Sequence, residues 1–288
     1  MNILRTPKAM TAWSRRLHRE GVTIGFVPTM GALHDGHRAL IRAARLQCDA
    51  LVVSIFVNPT QFAPTEDLAK YPRPIANDRA LCRAEGVDIC FEPPVKAMYP
   101  EGFETVVTAP GIAQRWEGEI RPHHFAGVAT VVTKLFGMVR PDVAVFGQKD
   151  FQQVALVRRV IEDLSLGITL IVHPTVREQD GLAMSSRNVY LSASDRALAP
   201  ILYKSLQAGA AAIKDGITLG RKIQAMMTQI LRREPAAAVD YLAVCNPDTL
   251  TPLKSVSDRA VLLGAIRIGS VRLIDNLPVK RPATRGRR

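Results

Sequence analysis

The sequence predicts an α/β fold: a Rossmann-like, doubly wound parallel sheet followed by a second, smaller α+β domain. Three observations lead there. Short apolar runs at residues 22–27, 50–57, 87–91, 142–146 and 168–172 alternate with stretches of helical spacing, the order of βαβ units. The run at 50–57, Ala-Leu-Val-Val-Ser-Ile-Phe-Val, is apolar almost throughout, as in a strand covered on both faces. Past Val176 the alternation stops, and apolar runs at 239–244, 261–268 and 271–274 read as strands of a different kind of domain. The expected division is 1–176 and 177–288, the second part ending in a basic tail.

The elements follow in order. Residues 1–20 read as a lead-in helix with Thr11 as its cap, and 22–27 as the first strand. The helix after it carries Leu40, Ile41, Ala43, Ala44 and Leu46 on one side. The strand at 50–57 runs into Asn58-Pro59-Thr60-Gln61-Phe62, a polar cluster where open α/β sheets place ligands. A loop is expected over 65–73, a helix over 75–84 and a short strand over 87–91. Phe125, Val128, Val131, Val132, Leu135, Phe136 and Val139 have the spacing of a core-facing helix. The strand at 142–146 leads through Gly147-Gln148-Lys149-Asp150 to a helix over 151–164, with Asp150 a candidate cap. A fifth strand is read at 168–172. In the second domain Ser194 caps a helix through Ala212, and another helix covers 219–232.

Composition narrows the class. The chain has 288 residues, 47% hydrophobic, with a net charge of +12. Residues 279–288 hold Lys280, Arg281, Arg285, Arg287 and Arg288 without an acid, the makeup of a solvated, disordered end. The remaining surplus suits an anionic small substrate or nucleic acid. RNA-binding stretches interleave aromatic with basic residues, and an aromatic content of 6% without such interleaving argues against them. No apolar run approaches the ~20 residues of a membrane span, and residues 1–10 lack the core of a secretory signal. A cytoplasmic protein is expected. Cys48, Cys82, Cys90 and Cys245 form no zinc-type pair. Cys48, Cys90 and Cys245 lie in apolar segments, where buried reduced thiols are expected.

The chemistry centres on Pro-Thr-Met-Gly-Ala-Leu-His-Asp-Gly-His at 28–37. Strand, glycine turn and helix entry come in that order. Gly31 and Gly36 permit close backbone approach, and a helix starting near Gly36 aims free N–H groups at an anion. With His34 in the first helical turn, both imidazoles, His34 and His37, share a face. A metal pair lacks a third ligand at suitable spacing; contact with phosphate agrees with turn, helix and imidazoles together.

Strand followed by His-x-Gly-His resembles the nucleotidylyl-transferase superfamily, which includes class I aminoacyl-tRNA synthetases. Met184-Ser185-Ser186-Arg187 resembles its second, phosphate-touching signature. Within it, the 28–37 stretch, Phe56-Val57-Asn58-Pro59-Thr60-Gln61-Phe62, Tyr71-Pro72-Arg73, Phe146-Gly147-Gln148-Lys149-Asp150 and Met184-Ser185-Ser186-Arg187-Asn188 resemble the pantoate–β-alanine ligase family, collinearly from Val27 to Leu191. The C-terminal third resembles it in length and type.

The resemblance implies a two-step ligation. ATP and pantoate give pantoyl adenylate and pyrophosphate; β-alanine then gives pantothenate and AMP. It implies nucleotide contacts from Met30, Gly31, Ala32, Leu33, His34, Asp35, Gly36, His37, Gly147, Gln148, Lys149, Asp150, Val176, Met184, Ser185, Ser186 and Arg187. His37, His34, Lys149, Ser185 and Arg187 carry the catalytic donors, His37 as proton donor. Gln61, Gln153, Asn58 and Met30 bind pantoate, with Gln61 also near β-alanine. The C-terminal domain acts as a lid, and a homodimer is implied. Relatives often have an acidic pair after Tyr-Pro-Arg, where some bind Mg²⁺. Ile75-Ala76-Asn77-Asp78 holds one carboxylate, so no protein-held metal is expected, and Mg²⁺ would arrive with ATP. His124 matches the family histidine of 121–125, and neither it nor His123 is given a catalytic role. Two rival readings are a nucleotidylyl transferase acting on another small acid, which would not need Gln61 or Gln153, and an RNA-binding protein with a degenerate synthetase core.

Overall fold

A computed structural model describes residues 1–63 and 68–282 of the chain. Part of the loop expected over 65–73 and residues 283–288 of the basic tail lie outside the described residues. The chain forms two compact units. One comprises Met1–Gln148 and Gln152–Pro174; the other comprises Lys149–Phe151 and the chain from Thr175 onward.

The first unit holds β1 (Asn2–Leu4), α1 (Pro7–Arg19), β2 (Ile24–Thr29), α2 (Asp35–Arg45), β3 (Ala50–Ile55), α3 (Ile75–Ala84), β4 (Ile89–Phe91), the short helices α4 (Val95–Met98), α5 (Pro110–Ala113) and α6 (Glu117–Ile120), then α7 (His124–Val139), β5 (Val143–Gly147), α8 (Phe151–Asp163) and β6 (Thr169–His173). Its strands make one parallel sheet in the order β1-β4-β3-β2-β5-β6. From β2 the chain proceeds outward through β3 and β4, then returns to lay β5 on the other flank of β2. The carboxyl ends of β2 and β5 therefore border the switch point, where open α/β sheets bind ligands.

Residues alternate across β2 as a doubly covered strand requires. Val27 joins Ile41 and Ala44 of α2 and Cys82 of α3 in one cluster. Phe26, fully buried, meets Phe136 of α7 edge-on at 6.3 Å between ring centroids. Burial of such a ring is worth about 1.5–3 kcal/mol.

The expectation for residues 1–20 is corrected. Residues 2–4 are an edge strand paired with Ile89, Cys90 and Phe91, so the strand at 169–173 is the sixth rather than the fifth. Thr6, not Thr11, caps α1, its hydroxyl accepting from the Ala9 N–H at 3.2 Å, with Pro7 in the first turn. Among the cysteines, Cys82, Cys90 and Cys245 are buried and Cys48 is half-buried; all four are free.

The second unit holds α9 (Ala193–Leu198), α10 (Ile201–Lys214) and α11 (Gly220–Leu231), followed by β7 (Ala237–Cys245), β8 (Arg259–Ile268) and β9 (Val271–Lys280). The three strands form an antiparallel sheet in sequence order. Leu206 and Ile213 of α10, Ile223 and Met227 of α11, and Leu262 and Ile266 of β8 share its core. The single helix expected from Ser194 to Ala212 is two helices. Ser192, not Ser194, caps the first, its hydroxyl accepting from the Asp195 N–H. Pro200 separates it from the second, because proline lacks an N–H. The tail also starts later than expected. Val279 is buried and paired with Ala260, and Lys280 pairs with Arg259.

Candidate functional site

The turn after β2 is backbone held by side chains. Gly31 has φ +82° and Ala32 φ +51°, left-handed conformations that suit glycine and strain alanine. A Cβ on Gly31 would lie 2.9 Å from Asp78 Oδ2 and 3.0 Å from Ile55 Cγ2. Thr29 Oγ1 accepts from the Gly31 N–H at 3.1 Å and donates to the Ser54 carbonyl at 2.7 Å. Asp78, buried on α3, accepts from the N–H groups of Ala32 at 2.9 Å and Leu33 at 2.8 Å. Burial pushes the Asp78 carboxyl above its ordinary value, and the two backbone donors pull it partly back. Sequence reading considered Asp78 only as a metal ligand. Its partners lie 46 and 45 residues away, and no local pattern links them.

His34 lies just outside the helix rather than in its first turn. It is the N-cap of α2, in an extended conformation. His34 Nδ1 accepts from the Gly36 N–H at 3.1 Å, and His37 Nδ1 accepts from the His34 N–H at 3.3 Å. Two imidazoles thus make a reciprocal capping box, a role usually filled by hydroxyls and carboxylates. The rings lie 4.1 Å apart. With each Nδ1 accepting, the ring proton sits at Nε2 on both residues.

After β3, Asn58 organises a 3₁₀ turn, Pro59–Gln61. Its Oδ1 accepts from the Thr60 N–H at 3.4 Å, Thr60 Oγ1 at 3.0 Å and Tyr99 OH at 2.8 Å. Its Nδ2 donates to the Gly127 carbonyl at 3.1 Å and to Gln61 Oε1 at 3.0 Å. The Gln61 carbonyl accepts from Arg121 at 3.0 Å and meets His124 Nδ1 at 3.0 Å. Gly127 lets α7 come this close, since a Cβ there would overlap the Thr60 carbonyl oxygen. Asn58 and Gln61 were read from sequence. Tyr99, Arg121, His124 and Gly127 were not read as parts of this network, since only folding gathers them.

At the end of β5, Gln148–Asp150 form a 3₁₀ turn leading into α8. The two glutamines that follow divide. Gln152 is buried, accepting from the Glu117 N–H and donating to the carbonyls of Ile112 and Arg115. Gln153 is half-buried. Gln152 thus serves the fold, and Gln153, the residue that the family resemblance implies for pantoate, is the more accessible of the two.

The second unit carries the other signature residues. Arg177 bridges to Ala183, and the Val176 carbonyl accepts from the Met184 N–H at 3.0 Å, closing a hairpin. Ser185 Oγ accepts from the Arg187 N–H at 3.2 Å and caps the 3₁₀ turn Ser186–Tyr190. Arg177 forks onto the buried Asp275 at 2.6 and 2.9 Å and lies 3.7 Å over the Tyr203 ring. Asn276 Nδ2 donates to the Lys149 carbonyl at 2.9 Å, and Lys149 Nζ is 3.6 Å from Asp150. Arg177, Asp275 and Asn276 escaped the sequence reading; the pairing spans 98 residues.

The family model described as Pantoate-beta-alanine ligase matches residues 2–278. The chain belongs to the pantoate–β-alanine ligase family. The pantothenate synthetase of Heliobacterium modesticaldum is 47% identical over 97% of this chain and 100% of its own, and that of Agrobacterium fabrum 48% over 99% and 98%. The crystal structure of pantothenate synthetase from Thermus thermophilus superposes with a TM-score of 0.91 at 46% identity, covering 96% of this chain and 99% of that one. A pantoate–β-alanine ligase from Francisella tularensis, solved with β,γ-ATP and β-alanine, is 34% identical with a TM-score of 0.79 over 96% and 97%. The ligase family thus extends through the C-terminal unit, where the sequence offered type rather than motif.

Proposed function

We propose that this chain condenses pantoate with β-alanine to pantothenate, using ATP and passing through a pantoyl adenylate. The observation that supports it best is the reciprocal His34–His37 cap on a turn clamped by Asp78. It fixes two imidazole Nε2–H groups at a helix N-terminus, which favours phosphate oxygens. The pantoate carboxylate attacks the α-phosphorus of ATP, and the bond from that phosphorus to the bridging oxygen breaks. Charge builds on departing pyrophosphate, where fixed donors are worth most. His37 and His34 act there, with Lys149, Ser185 and Arg187. Met30–Leu33, Asp35, Gly36, Gly147, Gln148, Asp150, Val176, Met184 and Ser186 complete the nucleotide contacts. No protein nucleophile is required, so positioning does most of the work.

Gln61 and Gln153, with Met30, hold pantoate, and Asn58 acts through Gln61. The Asp78 oxygens are occupied by backbone donors, which does not fit a metal ligand. Mg²⁺ belongs on the ATP phosphates, where it offsets their charge. No helix among the described residues is long and apolar enough to cross a membrane. The enzyme works in the cytoplasm as a homodimer in this reading.

Isotope exchange between pyrophosphate and ATP tests the scheme. Exchange should depend on pantoate and proceed without β-alanine. An absolute requirement for β-alanine would overturn the two-step route.

A further inference from the structure

The orientation of the Gln61 amide is fixed by groups that cannot reverse. Asn58 Oδ1 faces a backbone N–H, that of Thr60, and Asn58 Nδ2 faces a backbone carbonyl, that of Gly127. The first can only donate and the second only accept, so the Asn58 amide has one allowed setting. Its remaining Nδ2 proton then requires an oxygen on Gln61, which is Oε1. Gln61 is left with its acceptor satisfied and its Nε2 donors carrying none of its hydrogen bonds among the described residues. The residue is only 8% exposed, yet Nε2 is not among the fully buried unpartnered side-chain atoms of the described residues, so the N–H₂ end is the part of the amide that a ligand can reach. Gln61, expected from the family resemblance to bind pantoate, thus presents donors only.

Tyr99 makes the shortest contact to Asn58 Oδ1, 2.8 Å. Its ring is wedged by Phe103 at 5.1 Å and Phe56 at 6.3 Å, with Lys134 Nζ 5.7 Å from its centroid. The hydroxyl has little freedom to leave.

We propose that Tyr99 is a positioning residue: its hydroxyl holds the Asn58 amide, whose orientation the backbone sets, in the place from which it keeps the Gln61 N–H₂ toward substrate, so that Gln61 selects an oxygen lone pair on pantoate. This rests on the pantoate-binding reading of Gln61. Tyr99 itself touches no reacting atom.

A double-mutant cycle reads the relay directly. Tyr99→Phe keeps the ring and removes one hydroxyl. It should raise the KM for pantoate roughly tenfold, the size of one lost hydrogen bond, and leave the KM for ATP unchanged. In a Gln61→Ala background the same substitution should change pantoate KM less than about twofold. Effects that multiply would overturn the relay, as would an equal rise in the KM for ATP. Asn58→Asp is an independent arm. A carboxylate cannot donate to Gln61 Oε1, so pantoate KM should rise while ATP KM holds; an unchanged pantoate KM overturns the proposal. Exchange by the unsubstituted enzyme that ignores pantoate would instead overturn the substrate reading underneath.

Discussion

The carboxylate of Asp78 accepts from the backbone N–H of Leu33 at 2.8 Å, and its second oxygen takes the adjacent Ala32 N–H at 2.9 Å. One side chain on α3 thereby holds the turn that delivers His34 to the start of α2. Ala32, at φ +51°, sits in a conformation alanine adopts only under constraint. Asp78→Ala removes both acceptors. Each buried donor left unpaired costs about 1–3 kcal/mol. The KM for ATP should therefore rise by one to two orders of magnitude, and Asp78→Asn, which keeps one acceptor oxygen, should fall between the variant and the parent. Normal ATP kinetics in Asp78→Ala would show that the turn holds itself.

His37→Ala should lower the rate of adenylate formation by roughly 10²–10³, the usual loss for one donor at a developing charge. It also releases the His34 N–H from its acceptor. His34→Ala should be comparably slow. Single-turnover measurement of pyrophosphate release distinguishes this from slow product release. Near-parental rates in both variants would remove the helix entry from catalysis.

Glu92 gives a pH-dependent prediction. Its carboxylate pairs with Arg79 at 2.8 and 2.6 Å. Burial raises its pKa, but Arg79, Cys90 and Arg5 together outweigh burial and hold it below the ordinary 4.5. A lowered folded-state pKa contributes stability above the unfolded value that is lost as pH falls through the folded one. Glu92→Gln should thus be less stable than the parent at pH 7 by about 1–3 kcal/mol, and the gap in melting temperature should close progressively below about pH 4.5. A gap that stays constant down to about pH 3 would contradict the assignment.

Truncation separates tail from strand. Removing residues 283–288 should leave ligase activity and melting temperature unchanged. Cutting back to residue 278 also removes Val279, buried against the core of the second unit, and the last two pairs of β9 with β8. That variant should lose about 2 kcal/mol, read as a lower thermal midpoint. Equal stability of the two truncations would show that the end of β9 contributes nothing.

Residues whose role is written in short-range pattern were legible in the chain alone. The continuous apolar run at 50–57 reads as a strand covered on both faces, and β3, Ala50–Ile55, is one. The spacing from Phe125 to Val139 appears as α7. The glycine turn and paired histidines at 28–37 identified a strand-to-helix entry, because strand, turn and helix are contiguous there and each sets its neighbour's geometry.

What the sequence did not settle is what depends on distant partners. Residues 2–4 are too few to announce a strand, and their pairing with β4 exists only once β4 is in place. The setting of His34 as cap rather than helical residue follows from which Nδ1 accepts which N–H. Asp78 looked like an isolated carboxylate until folding set it beneath Ala32 and Leu33. Gln61 looked free to donate and accept until Asn58 took its oxygen. Each of these was decided by tertiary structure for one physical reason: a polar side chain's function is set by which of its donors and acceptors the fold has already satisfied, and those partners arrive from elsewhere in the sequence.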